Sequence, residues 1–220
     1  MSIKETIQAV RSALSAARMA TYEAAASVTE DDDPAALALY AWNAQVSAAL
    51  LAPLHICEVV VRNAVSDALE TVYGPRWPWS SGFEQSLTAP NIGYSPRKDL
   101  QNVRRRQAST GKVIPELKFV FWQKMFTSRH DRRVWNTHLM RVLPNLDHAT
   151  PVDQLRQDIY NNLEEIRKLR NRIAHHEPIF RRSLPDDLQK TVDLIELRCK
   201  VTAAWMMSNQ HATEIIAQRP

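Results

Sequence analysis

Glycine is scarce in this chain, with four residues in 220, and cysteine is scarcer, with two. So little glycine excludes collagen-like and flexible low-complexity chains, and it argues against the many tight turns of a large sandwich or barrel. Cys57 and Cys199 lie in apolar surroundings without C-x-x-C spacing. They supply neither a disulfide framework nor a zinc site and fit a reducing compartment. Long apolar runs are also missing. The most apolar stretch, Ala48 to Val61, is interrupted by Pro53, His55 and Glu58 and falls short of the roughly 20 apolar residues of a membrane span. Lys4, Glu5 and Arg11 break up the N-terminus, which does not read as a secretory signal. The expected location is cytoplasmic, with no membrane association. The chain has no G-x-x-x-x-G-K-[ST] loop, no H-E-x-x-H and no G-x-S-x-G, so the common phosphate-loop, zinc-protease and serine-hydrolase chemistries lack their residues.

What is present is ordinary in bulk and uneven in detail. Lys and Arg number 28 against 24 Asp and Glu, a net charge of +4. Between Arg97 and Arg133 stand eleven basic residues, among them Arg104, Arg105, Arg106, Arg129, Arg132 and Arg133, against Asp99, Glu116 and Asp131. The segment therefore carries +8 and the remainder of the chain −4. A basic segment of this kind attracts a polyanion such as RNA through its phosphates. It is equally the composition of a solvated helical face.

Apolar residues recur at helical spacing nearly everywhere and no segment alternates with period two, so the fold class is all-α. The punctuation predicts a bundle of five to seven helices forming one domain over residues 1–220. One helix covers about residues 3–28 as an N-terminal extension, and the acidic patch Glu30 to Asp33 ends it. Asp33-Pro34 then caps a long helix reaching Tyr73, bent at Pro53. An irregular aromatic loop spans 75–94, and Ser95-Pro96 opens the arginine-rich helix, which should end before Gly111. Pro115 starts a compact helix bearing Phe119, Phe121, Trp122 and Phe126, whose simplest role is core. A helix through Trp135, Leu139 and Val142 follows, then one from Pro151 to Glu177, and a last one from Pro185 to about Gln210.

The helix from Pro151 to Glu177 carries the candidate chemistry. Leu155, Ile159, Leu163, Ile166 and Ile173 define its apolar face. Arg170 falls beside that stripe, where a guanidinium asks for a partner or a wet cleft. Asn171 and His175 share another face with Glu164 and Lys168. His175 and His176 sit in the last turn, where free carbonyls and the helix dipole favour the imidazolium and so suit a group for acid/base work near neutrality. The bland alternative is a histidine that only caps its helix. Adjacent histidines on a helix point about 100° apart, so His175, His176 and Glu177 make a poor metal site.

The string Arg170-Asn171-Arg172-Ile173-Ala174-His175-His176-Glu177-Pro178-Ile179-Phe180 resembles the R-N-x-x-x-H motif of HEPN-domain ribonucleases, and more narrowly their Abi-like branch, which is associated with abortive infection. Two upstream blocks agree in order and spacing. One is Leu39-Tyr40-Ala41-Trp42-Asn43 followed by Glu58-Val59-Val60-Val61-Arg62-Asn63; the other is Lys118-Phe119-Val120-Phe121-Trp122. The resemblance spans a motif core of about residues 35–182.

What it implies is a HEPN-like bundle and a metal-independent endoribonuclease without cofactors, acting as a toxin or antiphage defence effector that leaves 2′,3′-cyclic phosphate and 5′-hydroxyl ends. Mapped here, His175 would be the acid/base, Arg170 would stabilise charge on the phosphate, and Asn171 would orient the imidazole or the substrate, with His176 auxiliary. The resemblance also implies a homodimer, because two motif helices face each other across a two-fold axis in that family. Geometry gives dimerisation a purpose, since positions five apart on an ideal helix diverge by about 140°. An antitoxin protein or regulatory RNA would be the further partner. A non-catalytic RNA- or nucleotide-binding module of the same fold, or a partner-dependent component, is the alternative. Glu58 sits in an apolar run and either pairs with Arg62 four residues on or orients Arg170; Arg62 and Asn63 join it as auxiliary residues. Arg181 and Arg182, just after the motif, are candidates for RNA contact beside the basic segment.

Overall fold

A computed structural model describes residues 2–30 and 33–220. Helix accounts for 75% of the chain, and no strand occurs among the described residues. Twelve α-helices are present among these residues, more than the five to seven that the punctuation predicts. The excess has local causes. The N-terminal segment is two helices, α1 (Ile3–Leu14) and α2 (Ala16–Ala25), because Ser15 adopts φ 77 and ψ 141 and its Oγ accepts from the Arg18 N–H to cap α2. The last segment likewise divides at Cys199, whose extended backbone separates two helices described below. Neither break carries a glycine or proline. Of the acidic patch expected to end the first helix, Asp31 and Asp32 lie outside the described residues.

The long helix α3 (Ala35–Tyr73) is the spine of the molecule. Asp33 Oδ1 accepts from the Ala35 N–H at 2.8 Å, which supplies the expected cap. Helix runs uninterrupted through the buried Pro53, and Gly74 ends it at φ 83, a backbone conformation open to glycine without strain. Leu39, Trp42, Val46, Leu50, Cys57, Val61, Val65 and Leu69 recur at helical spacing and form its buried face. One 18-residue window of α3 has mean hydropathy 1.7 with 33% of it buried inside the molecule. By length and composition alone α3 could cross a membrane, although the uninterrupted apolar run within it is short; core helices of soluble proteins pass the same test.

After α3 the aromatic segment folds into a 3₁₀ turn, Trp77–Trp79, and α4 (Ser81–Ser86). Trp77 is fully buried, donates from Nε1 to Ser66 Oγ at 3.1 Å and meets Phe83 and Trp122 edge-on. The arginine-rich helix is α5 (Pro96–Arg104), which ends before Gly111 as expected; a further helix, α6 (Thr110–Glu116), contains both Gly111 and Pro115, so Pro115 lies near the end of a helix rather than opening one. Then come α7 (Phe119–Met125), a 3₁₀ turn Ser128–His130, a π-helical turn Asp131–Trp135 and α8 (Asn136–Val142). Phe119, Phe121, Trp122 and Phe126 are buried, as a helical aromatic stripe predicts. The chain closes with α9 (Val152–Ala174), α10 (Leu184–Arg198), α11 (Lys200–Asn209) and α12 (Ala212–Ala217). α10 packs on α3 and α9, and the buried core is continuous from Met19 on α2 to Ala212 on α12.

Helix α9 ends on the motif, and the way it ends matters. His176 adopts φ 56; its N–H donates to the Ile173 carbonyl, and the Glu177 N–H donates to the Arg172 carbonyl at 2.8 Å. This is the Schellman arrangement, with histidine where glycine is usual. Holding a β-carbon in the left-handed region costs about 1 kcal/mol. His176→Gly is therefore expected to raise the melting temperature by about 2–4 °C in a chain of this size. Thermal unfolding of the two proteins at one pH checks this.

Candidate functional site

The two residues proposed for the chemistry are both presented to solvent. Arg170 is exposed and makes no hydrogen bond or ion pair with any described residue. The expected partner at the edge of the apolar stripe is absent because the side chain leaves the stripe for water and needs none. The other arginines of α9 differ: Arg156 pairs with Asp131, Arg167 with Glu164, and Arg172 with Glu177. His175 is exposed at the C-cap, its N–H donating to the Asn171 carbonyl at 2.9 Å, and its ring is unpartnered among the described residues. Asn171 is half-buried, with its side-chain amide also unengaged. No hydrogen bond joins Arg170, Asn171 and His175 side chains within one chain, as the 140° divergence leads one to expect.

Beside the motif lies a groove of about 280 Å³ between α2, α3 and the turn that ends α9. Tyr40, Asn43, Ser47 and Leu51 recur every three or four residues and so line it from one face of α3. The groove is built stiffly. Asn43 is buried, and its Oδ1 accepts from the Ile179 N–H at 2.8 Å, tying the post-motif turn to α3. From α2, Arg18 Nη1 donates to the His176 carbonyl at 2.6 Å. Arg172 Nε and Nη2 both donate to the Pro178 carbonyl. Tyr22 meets Tyr40 and Phe180 edge-on, and burial with Tyr40 nearby pushes its phenol pKa up. The upstream block Tyr40 to Asn43 thus meets the motif in space. Arg18, Tyr22 and Ser47 were not legible as site residues; the three-to-four spacing along α3 could have found Ser47, but nothing local marks Arg18.

The second part of that block, Glu58 to Asn63, behaves otherwise. Glu58 is half-buried and forms an ion pair with neither Arg62 nor Arg170, so both readings of it fail in this chain. Arg62 Nε is buried without a partner, and Asn63 is exposed.

The basic segment separates into structural and free arginines. Arg97 donates to the Glu84, Gln85 and Leu87 carbonyls and so caps α4, and Arg104 pairs with Glu84 and donates to the Pro78 carbonyl. Arg104 is therefore committed within the fold and is not one of the free charges that the count suggests. Arg182 is also structural: it grips the buried Asp187 with two hydrogen bonds of 2.7 Å and reaches Glu165. Arg181 is exposed and lies over the Phe180 ring. Arg105 is exposed, and Arg106 donates to the Asn102 carbonyl. Arg129, Arg132 and Arg133 are exposed together and line one cleft. That cleft is far from the motif: Asp131 binds Arg156 near the start of α9, fourteen residues before Arg170, or about 21 Å along the helix axis.

Among the described residues no three His, Cys, Asp or Glu side chains gather as a metal ligand set. No known protein family, curated protein or solved structure matches this chain.

Proposed function

We propose that this protein is an Abi-like HEPN endoribonuclease that cleaves RNA without a metal ion, as a defence effector or toxin. The observation that carries the reading is the pair of unengaged, solvent-facing side chains, Arg170 and His175, at the end of a helix whose other arginines are all committed to partners. A guanidinium held free in solvent is suited to a phosphate, since it is permanently charged and planar. In the proposed reaction His175 removes the proton of a ribose 2′-hydroxyl, and the 2′-oxygen attacks the neighbouring phosphorus. The bond from phosphorus to the 5′-oxygen breaks, that oxygen takes up a proton, and a 2′,3′-cyclic phosphate remains. Arg170 stabilises the charge that develops on the phosphate oxygens. The groove of Tyr40, Asn43 and Ser47 offers an aromatic face and polar atoms to an adjacent base.

Arg170 and His175 diverge within one chain, so the reading includes a homodimer in which each site takes Arg170 from one copy and His175 from the other. The outward face of α3 supports this. Ala44, Ala48 and Leu51 are exposed in the α3 wall of the motif groove and Ala52 is exposed next to them, an apolar strip suited to close approach of a second α3.

The deciding experiment incubates wild-type protein and His175→Ala with total RNA in excess EDTA and maps the fragment ends. Cleavage by wild type alone, leaving 2′,3′-cyclic phosphates, is the expected result. Intact RNA with a folded, dimeric wild-type protein would leave the motif as a binding site that does not cut.

A further inference from the structure

At the far end of α9 from the motif is a cavity of about 440 Å³ between the loop after α4 and the turn after α7, a volume within the usual range for small-molecule sites. Leu87, Pro90, Pro96 and Met125 give it apolar walls. Its polar side chains are mostly engaged: Tyr94 Oη donates to Asp99 at 2.7 Å, Lys124 Nζ to Tyr160 Oη at 2.9 Å, and Thr127 Oγ1 to the Lys124 carbonyl at 2.9 Å. Thr88 and Ser128 are exposed, and His130 is the buried side chain left without a partner. It lines the cavity, is 4% exposed, and its imidazole has no hydrogen bond to any described residue. Burial and the neighbouring Arg129 push its pKa down to about 4, so at neutral pH the ring offers one N–H donor and one nitrogen acceptor. The ring nitrogens are not among the sealed, unpartnered polar atoms of the fold, so they open into the cavity, where a ligand with a donor and an acceptor on one edge can bond them.

Arg129 belongs both to this cavity and to the open cleft of about 360 Å³ that also takes Arg132 and Arg133. Its Nε donates to the Ser86 carbonyl, which fixes the guanidinium and leaves its outer nitrogens free. The π-helical turn explains the other two. Asp131 is drawn inward to Arg156, Val134 and Trp135 are buried, and consecutive Arg132 and Arg133 both face solvent without an ion pair to any described residue. No carboxylate lines the cleft. Three guanidiniums gathered without a counter-charge repel one another until an anion joins them.

We propose that the cavity and the cleft together bind a nucleotide, with the base in the cavity against His130 and the phosphates on Arg129, Arg132 and Arg133. Apolar walls, a buried ring with one donor and one acceptor, and a trio of arginines joined to the cavity through Arg129 match a heterocycle joined to a polyphosphate. The site is separate from the motif and does not rest on the ribonuclease reading. The nucleotide is either free or the 5′-terminal residue of an RNA strand.

Calorimetry on His175→Ala, which removes RNA cleavage from the measurement, would compare ATP, GTP, CTP and UTP with adenosine, inorganic triphosphate and a 5′-triphosphorylated oligoribonucleotide. At least one nucleoside triphosphate is expected to bind ten-fold or more tightly than both adenosine and triphosphate. Arg132→Gln with Arg133→Gln, two surface changes, should weaken it at least ten-fold, and His130→Leu should remove the preference among bases. Tighter binding of the oligonucleotide would assign the strand end, and equal or weaker binding the free nucleotide. The proposal is overturned if triphosphate binds as well as every nucleotide or if no nucleotide binds. It fails equally if the arginine double variant, folded by circular dichroism, retains full affinity. The base panel and the arginine variant keep the test complete should His130→Leu not fold.

Discussion

Mixing His175→Ala chains with Arg170→Ala chains restores RNA cleavage that neither variant shows alone. Each variant by itself should lose about 10²–10⁴ of the wild-type rate, the range for removing an acid/base group or a charge-stabilising donor. In a two-fold dimer whose sites each take Arg170 from one copy and His175 from the other, a mixed dimer has one site lacking both residues and one site intact. Random exchange makes about half of the dimers mixed, so the pool should recover roughly a quarter of wild-type activity. Sites contained within one chain give no recovery at any mixing ratio. The divergence of Arg170 and His175 on α9, and the absence of any bond between their side chains, make the shared site the expected outcome. Measuring the rate against mixing ratio, after exchange through mild denaturant, separates the two cases.

The parts of this fold legible in the sequence are those governed by long periodicity. α3 and α9 are long enough for their apolar stripes to outweigh local signals, and Asp33 and Gly74 mark the ends of α3 with the side chain and the backbone conformation those ends require. The breaks at Ser15 and Cys199 were not legible. Ser15 works there as an N-cap inside an otherwise helical pattern, and at Cys199 a thiol accepts from the Thr202 N–H, a capping role that composition does not advertise. Pro115 misleads for a related reason: it sits in the final turn of α6, where the chain is about to leave the helix, rather than at a first turn.

The candidate site was legible as a motif but not as a surface. Spacing places Arg170, Asn171 and His175 on one helix, and it cannot tell that Arg170 is free while Arg182, two residues past the motif string, is locked on Asp187. Charge counting fails in the same way along the basic segment. Arg97 and Arg104 are spent on the α4 end and on Glu84, while Arg132 and Arg133 are released only because a π-helical turn changes the register of the chain. What decides between these fates is the carboxylate or backbone carbonyl that each arginine meets in the fold, and those acceptors come from elsewhere in the chain.

That register depends on one buried ion pair, and breaking it should have the largest effect on stability. Arg156 is 6% exposed, and its Nε meets Asp131 Oδ1 at 2.9 Å. Asp131→Ala leaves the guanidinium buried with only the Phe126 carbonyl and Gln157 as acceptors. Removing one partner of a buried pair costs about 3 kcal/mol or more, which corresponds here to a fall in melting temperature of roughly 6–12 °C. Replacing both charges, as in Asp131→Leu with Arg156→Met, should recover most of that loss, because it removes the unpaired charge along with its partner. Near-equal instability of the single and double variants would show that packing rather than charge holds the turn. The two variants should share a second effect. Without Asp131 to pull the π-helical turn inward, Arg132 and Arg133 lose their fixed presentation beside Arg129, so binding of anions at that cleft should weaken in both, even where the double variant melts like the wild type.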